Sequence, residues 1–287
     1  PAARLAAAIA EAAAGDAWDG RDKVTLVLPD QLRSFGSWLE QLIAESLGKE
    51  GKGVIPVASE PLGPLEVYDE DRLFVAYGVG DEPWPAALEA IEAEHPVVRI
   101  RIWSLSDLGA ECYRWQMATA LTAHILDIHP FDQPDVESAK QRSRQALEQS
   151  GQRPDPGDAA ALLSALDPGD YVGIQAFLTP SSENNRRLQQ VRVKIRDRHR
   201  VATTAGFGPR FLHSTGQLHK GGPESGVFLQ VTKTHGTDVE VPGMGFSFGR
   251  LFDAQADGDL QALRDAGRRV ARVGIEDLEK LASEGGS

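Results

Sequence analysis

Residues 33–49 read RSFGSWLEQLIAESLGK, and the spacing of their apolar members decides how the first half of the chain is read. Leu32, Phe35, Leu39, Leu42 and Ile43 recur three and four apart, the stripe of an amphipathic helix. Gln41 and Glu45 stand four apart, so they share one flank of that helix. Gly48 ends it, and the following glycine-rich KEGKG supplies a tight loop. Taken alone, these residues fit a solvated flank best. A carboxylate beside an amide, one turn before a glycine loop, is also placed to move a proton.

Working outward, Lys23–Leu28 is a short β-branched run between Asp22 and Pro29-Asp30, the pattern of a buried strand. Strands are predicted at 54–58, 72–77 and 97–103, and helices at 84–94 and, capped by Ser106, to about Leu126. This alternation predicts an α/β domain with a mainly parallel sheet. A turn at 129–134 leads to a helix from Asp135 to about Gln149, and GQRPDPGD (151–158) has the composition of a linker. Two units are therefore predicted, 1–150 and a smaller α/β unit at 158–287. In the second, strands are expected at 171–178, 201–205, 226–232 and 270–275, and helices at 182–196, 253–269 and 276–282. Gly206–Gly222 reads as a glycine-rich loop and Gly243–Gly249 as turn chemistry.

The 287 residues carry a formal net charge of −12, which disfavours nucleic acid because phosphate neutralisation needs a basic surface. The basic run Arg186–Arg200 leaves local anion sites open. One cysteine, Cys112, excludes an internal disulfide framework and fits a reducing cytoplasm. No apolar run is long enough for a membrane span. The alanine-rich opening lacks the basic start of a secretory signal. A chain that opens at Pro1 suggests a fragment of a longer protein.

Three groups of residues could carry chemistry. Glu45 with Gln41 is the first. Lys140, near the start of the helix after FDQPD, is the second; its ammonium could donate a proton or simply pair with Glu137. The third is the Gly206–Gly222 stretch, where glycines could expose backbone N–H groups to an anion, with Arg210 and Lys220 as charge and His213 and His219 titrating near neutral pH. The histidines show no metal-ligand spacing. Neither a dinucleotide-binding GxGxxG nor a phosphate-binding GxxxxGK[ST] is found.

Two of these stretches carry a resemblance. Gln41, Glu45, Ser46, Gly48 and Lys49 match a Gln-x-x-x-Glu-Ser-x-Gly-Lys element, and Phe131, Asp132, Gln133, Val136, Glu137 and Lys140 match Phe-Asp-Gln-x-x-Val-Glu-x-x-Lys. The chain thereby resembles the C-terminal part of glucose-6-phosphate isomerase, and most closely the isomerase portion of the bifunctional transaldolase/glucose-6-phosphate isomerases. The likeness is carried by about Lys23–Lys140. It implies a three-layer α/β/α sugar-isomerase (SIS) sandwich with a five-stranded parallel sheet. It also implies interconversion of glucose 6-phosphate and fructose 6-phosphate without metal or organic cofactor. Glu45 would be the base moving a proton between C1 and C2, Lys140 would assist ring opening, and Gln41 would bind a hydroxyl or phosphate. Ser46, Lys49, Arg210 and His213 would add substrate contacts. The family's Gly-Gln-His element is missing from its expected place. Gly216-Gln217-Leu218-His219 offers a near match, making His219 the expected ring-opening histidine with His213 competing.

The Gly-Gly-Arg element and the Ser/Thr phosphate loop belong to a preceding domain, so an N-terminal isomerase domain and a transaldolase domain are expected outside this chain. A homo-oligomer stays open. Two other readings remain beside the enzyme: a non-catalytic sugar-phosphate-binding SIS module, and a structural half-domain completing another chain's site.

Overall fold

A computed structural model describes residues 1–13, 20–132, 142–144, 147, 154–233, 236 and 238–284. Lys140, Glu137, Val136 and Gln133, and most of the helix expected at 135–149, lie outside the described residues.

The first half begins with α1 (Ala2–Ala13) and β1 (Lys23–Val27) and continues through α2 (Arg33–Leu47), β2 (Ile55–Val57) and β3 (Arg72–Val79). It closes with α3 (Ala87–Glu92), β4 (Val97–Ile102) and α4 (Leu108–Ile125). The second half runs α5 (Ala159–Ser164), β5 (Tyr171–Phe177), α6 (Ser182–His199), β6 (Ala202–Phe207) and α7 (Ser214–Gly221). It ends with β7 (Gly226–Thr232), α8 (Phe248–Asp265), β8 (Arg269–Gly274) and α9 (Ile275–Ser283).

The protein is α/β, with two four-stranded parallel sheets flanked by helices. One sheet has the order β2-β1-β3-β4 and the other β6-β5-β7-β8. Both halves thus wind in the same sequence, the first strand lying between the second and the third. Among the described residues each half has four strands in place of the five-stranded sheet implied by the resemblance, so the second unit has as many as the first. Every residue of β5 is buried, as expected for a parallel strand covered on both faces.

The two sheets meet along the edges β2 and β6. Ile55 and Val57 of β2 join Tyr171, Ala202 and Phe228 in one apolar cluster. Beside it, Glu60 accepts from the Thr203 N–H (3.0 Å) and hydroxyl (2.7 Å), and from Arg72 Nη1 at 3.2 Å. Arg192 donates to Thr203 Oγ1 and to the Ala58 carbonyl. The predicted linker, where described, lies along β8: the Pro156 carbonyl accepts from Arg272 N at 2.6 Å. Gly157, at φ +73°, sits against Val270 and Ala271, a left-handed conformation that favours glycine.

Two expectations about the second half change. The stretch 206–222 is not an open glycine loop but a turn at Arg210–Leu212 followed by helix α7. Gly216 serves packing, since a Cβ there would lie 1.8 Å from the Phe211 carbonyl oxygen. Gly243–Gly249 contains a helix start: Ser247 accepts from the Arg250 N–H and opens α8 at Phe248, the usual role of an N-cap serine. The basic run Arg186–Arg200 is largely consumed within the fold. Arg187 pairs with Glu276 and Glu279, Lys194 bonds Ser283, and Arg192 and Arg196 are buried.

Candidate active site

Helix α2 packs its buried arc, which includes Phe35, Leu39, Ile43 and Leu47, into the first core. Its C-terminal end is where three separate stretches of chain converge. Gly48 is pressed against α7: a Cβ would stand 2.4 Å from Leu218 Cα. Gln217 donates to the Gly48 carbonyl at 3.1 Å, and the Gly51 N–H donates to the Gly221 carbonyl at 2.9 Å. The third stretch arrives through Lys49, whose Nζ donates to the His129 carbonyl at 2.9 Å and lies 3.3 Å from Asp132 Oδ1. The two motifs of the sequence are therefore physically joined, Lys49 of the first to Asp132 of the second.

Glu45 lies half-buried on α2 close to this junction, with Ser46 half-buried beside it and Gln41 exposed one turn earlier. Gln41 Nε2 makes a long 3.4 Å bond to the Ser37 carbonyl within its own helix. The next segment in chain after Asp132 is the one that holds Lys140.

The expected substrate contact from Lys49 is corrected. Its side chain is only 2% exposed, and the ammonium is occupied by His129 and Asp132, so it ties the two motifs together. Burial alone would raise the Asp132 carboxyl, but the Lys49 hydrogen bond and charge, together with His129, bring it below its ordinary value. Lys49→Met should destabilise the fold by about 1.5–3 kcal/mol, the usual worth of a hydrogen bond made by a charged group. Urea unfolding checks this, and a change within error would show that the junction is carried by backbone contacts alone.

His219 is also corrected. It is buried between the rings of Phe211 and Phe228, with centroid separations of 5.8 and 4.8 Å. Gln175 Nε2 bonds its Nδ1 at 3.0 Å. Burial, then the nearby Lys220 charge, holds its pKa well below 6.5. Among the described residues the ring is enclosed, which disfavours it as a group that meets a substrate oxygen. His213, at the entrance to α7, is exposed. Because the unfolded chain takes up a proton at His219 near pH 6.5 and the folded chain does not, this residue contributes stability above that pH that is lost as pH falls below it. Unfolding free energy should fall between pH 7 and 5 with a slope of up to about 1.4 kcal/mol per unit from this one group. The slope should shrink in His219→Asn, and an unchanged slope would remove the residue from the acid response.

Arg210 and Lys220 do not form an anion loop. Lys220 Nζ bonds Asp259 Oδ1 at 2.7 Å in the interior. Burial pushes the Asp259 carboxyl up, and Lys220 opposes that shift. Arg210 Nη2 bonds Glu40 Oε2 at 2.6 Å and borders a cavity that Gln41 and Glu45 do not line. Burial raises the Glu40 carboxyl and Arg210 opposes it. Sequence reasoning missed Glu40. A signal was available: at about 100° per residue, Glu40 falls in the buried arc of α2 with Ala44 and Leu47, where a lone carboxylate needs a partner.

Among the described residues, no three His, Cys, Asp or Glu side chains form a metal-ligand group. Within the same residues, no helix is long and apolar enough to cross a membrane.

These features define an α/β protein with a half-buried carboxylate at the meeting point of two sequence motifs. Comparison with known proteins then makes the relation specific: the chain is a distant relative of glucose-6-phosphate isomerases. It is 28% identical over 179 residues to the glucose-6-phosphate isomerase of Rubrobacter xylanophilus, covering 48% of this chain and 41% of that protein. A probable glucose-6-phosphate isomerase of Haloarcula marismortui is 28% identical over 160 residues, covering 42% and 37%. One from Natronomonas pharaonis is 31% identical over 155 residues, covering 41% and 36%. The chain spans about two fifths of the length of these curated relatives (41%, 37% and 36%). No protein-family profile matches it. Superposition on solved structures is loose. A hypothetical protein from Thermus thermophilus gives a TM-score of 0.38 at 13% identity, covering 98% of this chain and 80% of the other. The C-terminal domain of glucosamine-fructose-6-phosphate aminotransferase from Francisella tularensis gives 0.28 at 9%, covering 97% and 90%.

Proposed function

We propose that this chain is part of a cytoplasmic aldose–ketose isomerase acting on glucose 6-phosphate and fructose 6-phosphate, with Glu45 as the proton-transfer base. The observation that supports the reading is the Lys49 bridge to His129 and Asp132, which ties the end of the helix carrying Glu45 to the turn at 129–132. Glu45 removes the proton from C1 or C2 of the open-chain sugar and returns it to the neighbouring carbon, passing through a cis-enediol. A carboxylate that is half-buried can do this near neutral pH. Lys140 is assigned to ring opening, together with His213, the exposed histidine of the α7 pair. Gln41 and Ser46 are assigned to hydroxyl contacts on the rim. The phosphate is expected to be held by residues outside this chain, and the chain is read as the C-terminal portion of a bifunctional transaldolase/isomerase.

A coupled assay for fructose 6-phosphate isomerisation, run on this chain and on the full-length gene product, tests the reading. Activity of the full-length protein, lost on deletion of residues 33–140, is the expected result. Full-length protein without isomerase activity would remove the assignment. A transaldolase assay on the same full-length protein tests the fusion separately.

A further inference from the structure

A cavity of about 570 Å³ opens at the carboxyl ends of β1, β2 and β6, where the two sheets abut. Its volume lies within the range of small-molecule sites, about 300–1,000 Å³, and open parallel sheets bind ligands at the carboxyl ends of their strands. Two helices wall it: α2 through Arg33, Ser37 and Glu40, and α6 through Asn185, Leu188 and Gln189. Leu26 and Phe207 supply further apolar wall, and Arg210 closes the side toward α7. Gln41, Glu45, Lys49 and His213 do not line it.

The polar groups of this cavity are incompletely used. Arg210 makes one hydrogen bond among the described residues, from Nη2 to Glu40 Oε2. Its other N–H groups and Glu40 Oε1 are left over, a spare donor set directly beside a spare acceptor. The Asn185 side-chain amide and the Ser37 hydroxyl also have no hydrogen-bond partner among the described residues. Three carboxylates (Asp30, Glu40 and Glu60) and two guanidiniums (Arg33 and Arg210) line the space. Asp30 pairs with Arg33 at 2.6 Å, Glu40 pairs with Arg210, and the oxygens of Glu60 are taken by Arg72 and Thr203. A lining with no excess of cations offers little to a free anion. An acceptor next to donors fits a vicinal diol, in which one hydroxyl donates to the carboxylate and its neighbour accepts from the guanidinium. Leu26, Leu188 and Phe207 offer an apolar wall to the carbon face of a sugar ring.

We infer that this cavity is a second binding site, separate from Glu45, for a neutral hydroxyl-rich molecule of monosaccharide size. This inference does not depend on the isomerase reading.

Calorimetric titration of this chain with glucose and with fructose tests it, with fructose 6-phosphate and inorganic phosphate as further arms. At least one neutral sugar should bind saturably with Kd of about 1 mM or tighter, and Glu45→Gln should leave that affinity within about twofold. Glu40→Gln should weaken it about tenfold, which is near 1.4 kcal/mol. Asn185→Phe, at an exposed helix position, should block the mouth without disturbing the core, and so separates loss of the site from loss of the fold. Absence of saturable binding by either neutral sugar overturns the inference. So does competition by inorganic phosphate, which would mark an anion site, or loss of binding in Glu45→Gln with retention in Asn185→Phe, which would place the sugar at the other site.

Discussion

Glu45→Gln is expected to lower kcat for fructose 6-phosphate isomerisation by about 10³-fold while KM stays within a few-fold. That figure lies in the middle of the 10²–10⁴ range for removal of a positioned general base. Glutamine keeps the shape and polarity of the side chain but cannot accept a proton from carbon, so binding survives and the enolisation step does not. A fall in kcat and kcat/KM together, with KM constant, is the signature of an interaction made only in the transition state. Glu45 is half-buried on α2, whose buried arc is formed by other residues, so loss of turnover is read beside the unfolding midpoint of the same variant. Steady-state kinetics on the full-length protein, with thermal unfolding in parallel, decide the matter. Turnover within about threefold of the parent would return Glu45 to the solvated flank that its local sequence first suggests.

The largest expected stability effect lies elsewhere, at Glu60. This carboxylate is enclosed beside Arg72, Arg192 and Arg196, which are themselves buried. It bonds Thr203 of β6 and Arg72 of β3, so it links the two sheets. Glu60→Gln leaves the guanidinium groups without their shared counter-charge, and loss of one partner in a buried ionic cluster costs about 3–5 kcal/mol. For a chain of this length the melting midpoint should fall by on the order of 10 °C.

The acid response follows from the same group. Burial by itself raises the Glu60 carboxyl, but Arg72 and Arg192, the Thr203 hydroxyl and Arg196 together bring it below 4.5. With the folded pKa below the unfolded one, Glu60 contributes stability that is fully present above about pH 4.5 and lost as pH falls through the folded value. Urea unfolding of parent and variant at pH 7 and pH 3.5 measures both effects. The gap between them should narrow at the lower pH, and equal stability at pH 7 would show that the arginines find other acceptors.

Much of the local architecture was legible in the chain. The Lys23–Val27 strand, the α2 helix and the α/β alternation follow from periodicity and turn residues, which are properties of neighbours in sequence. The two motifs were also legible, because residue type and spacing are local. Glycine-rich 206–222 misled for a physical reason. Glycine serves close approach as well as conformational freedom, and at Gly48 and Gly216 it is the approach of Leu218 and Phe211 that matters.

The sequence by itself determined which residues could be chemical: Glu45 in a Gln-x-x-x-Glu row, and histidines at 213 and 219 as candidates for ring opening. Only the tertiary structure decided which of them can be reached. It buried His219 between two phenylalanine rings and left His213 exposed. Lys49 became the tie between two motifs, and Arg210 was given to Glu40 in a different cavity. Burial and ion pairing depend on segments far apart in the chain that meet only when the sheets pack, so no local pattern encodes them.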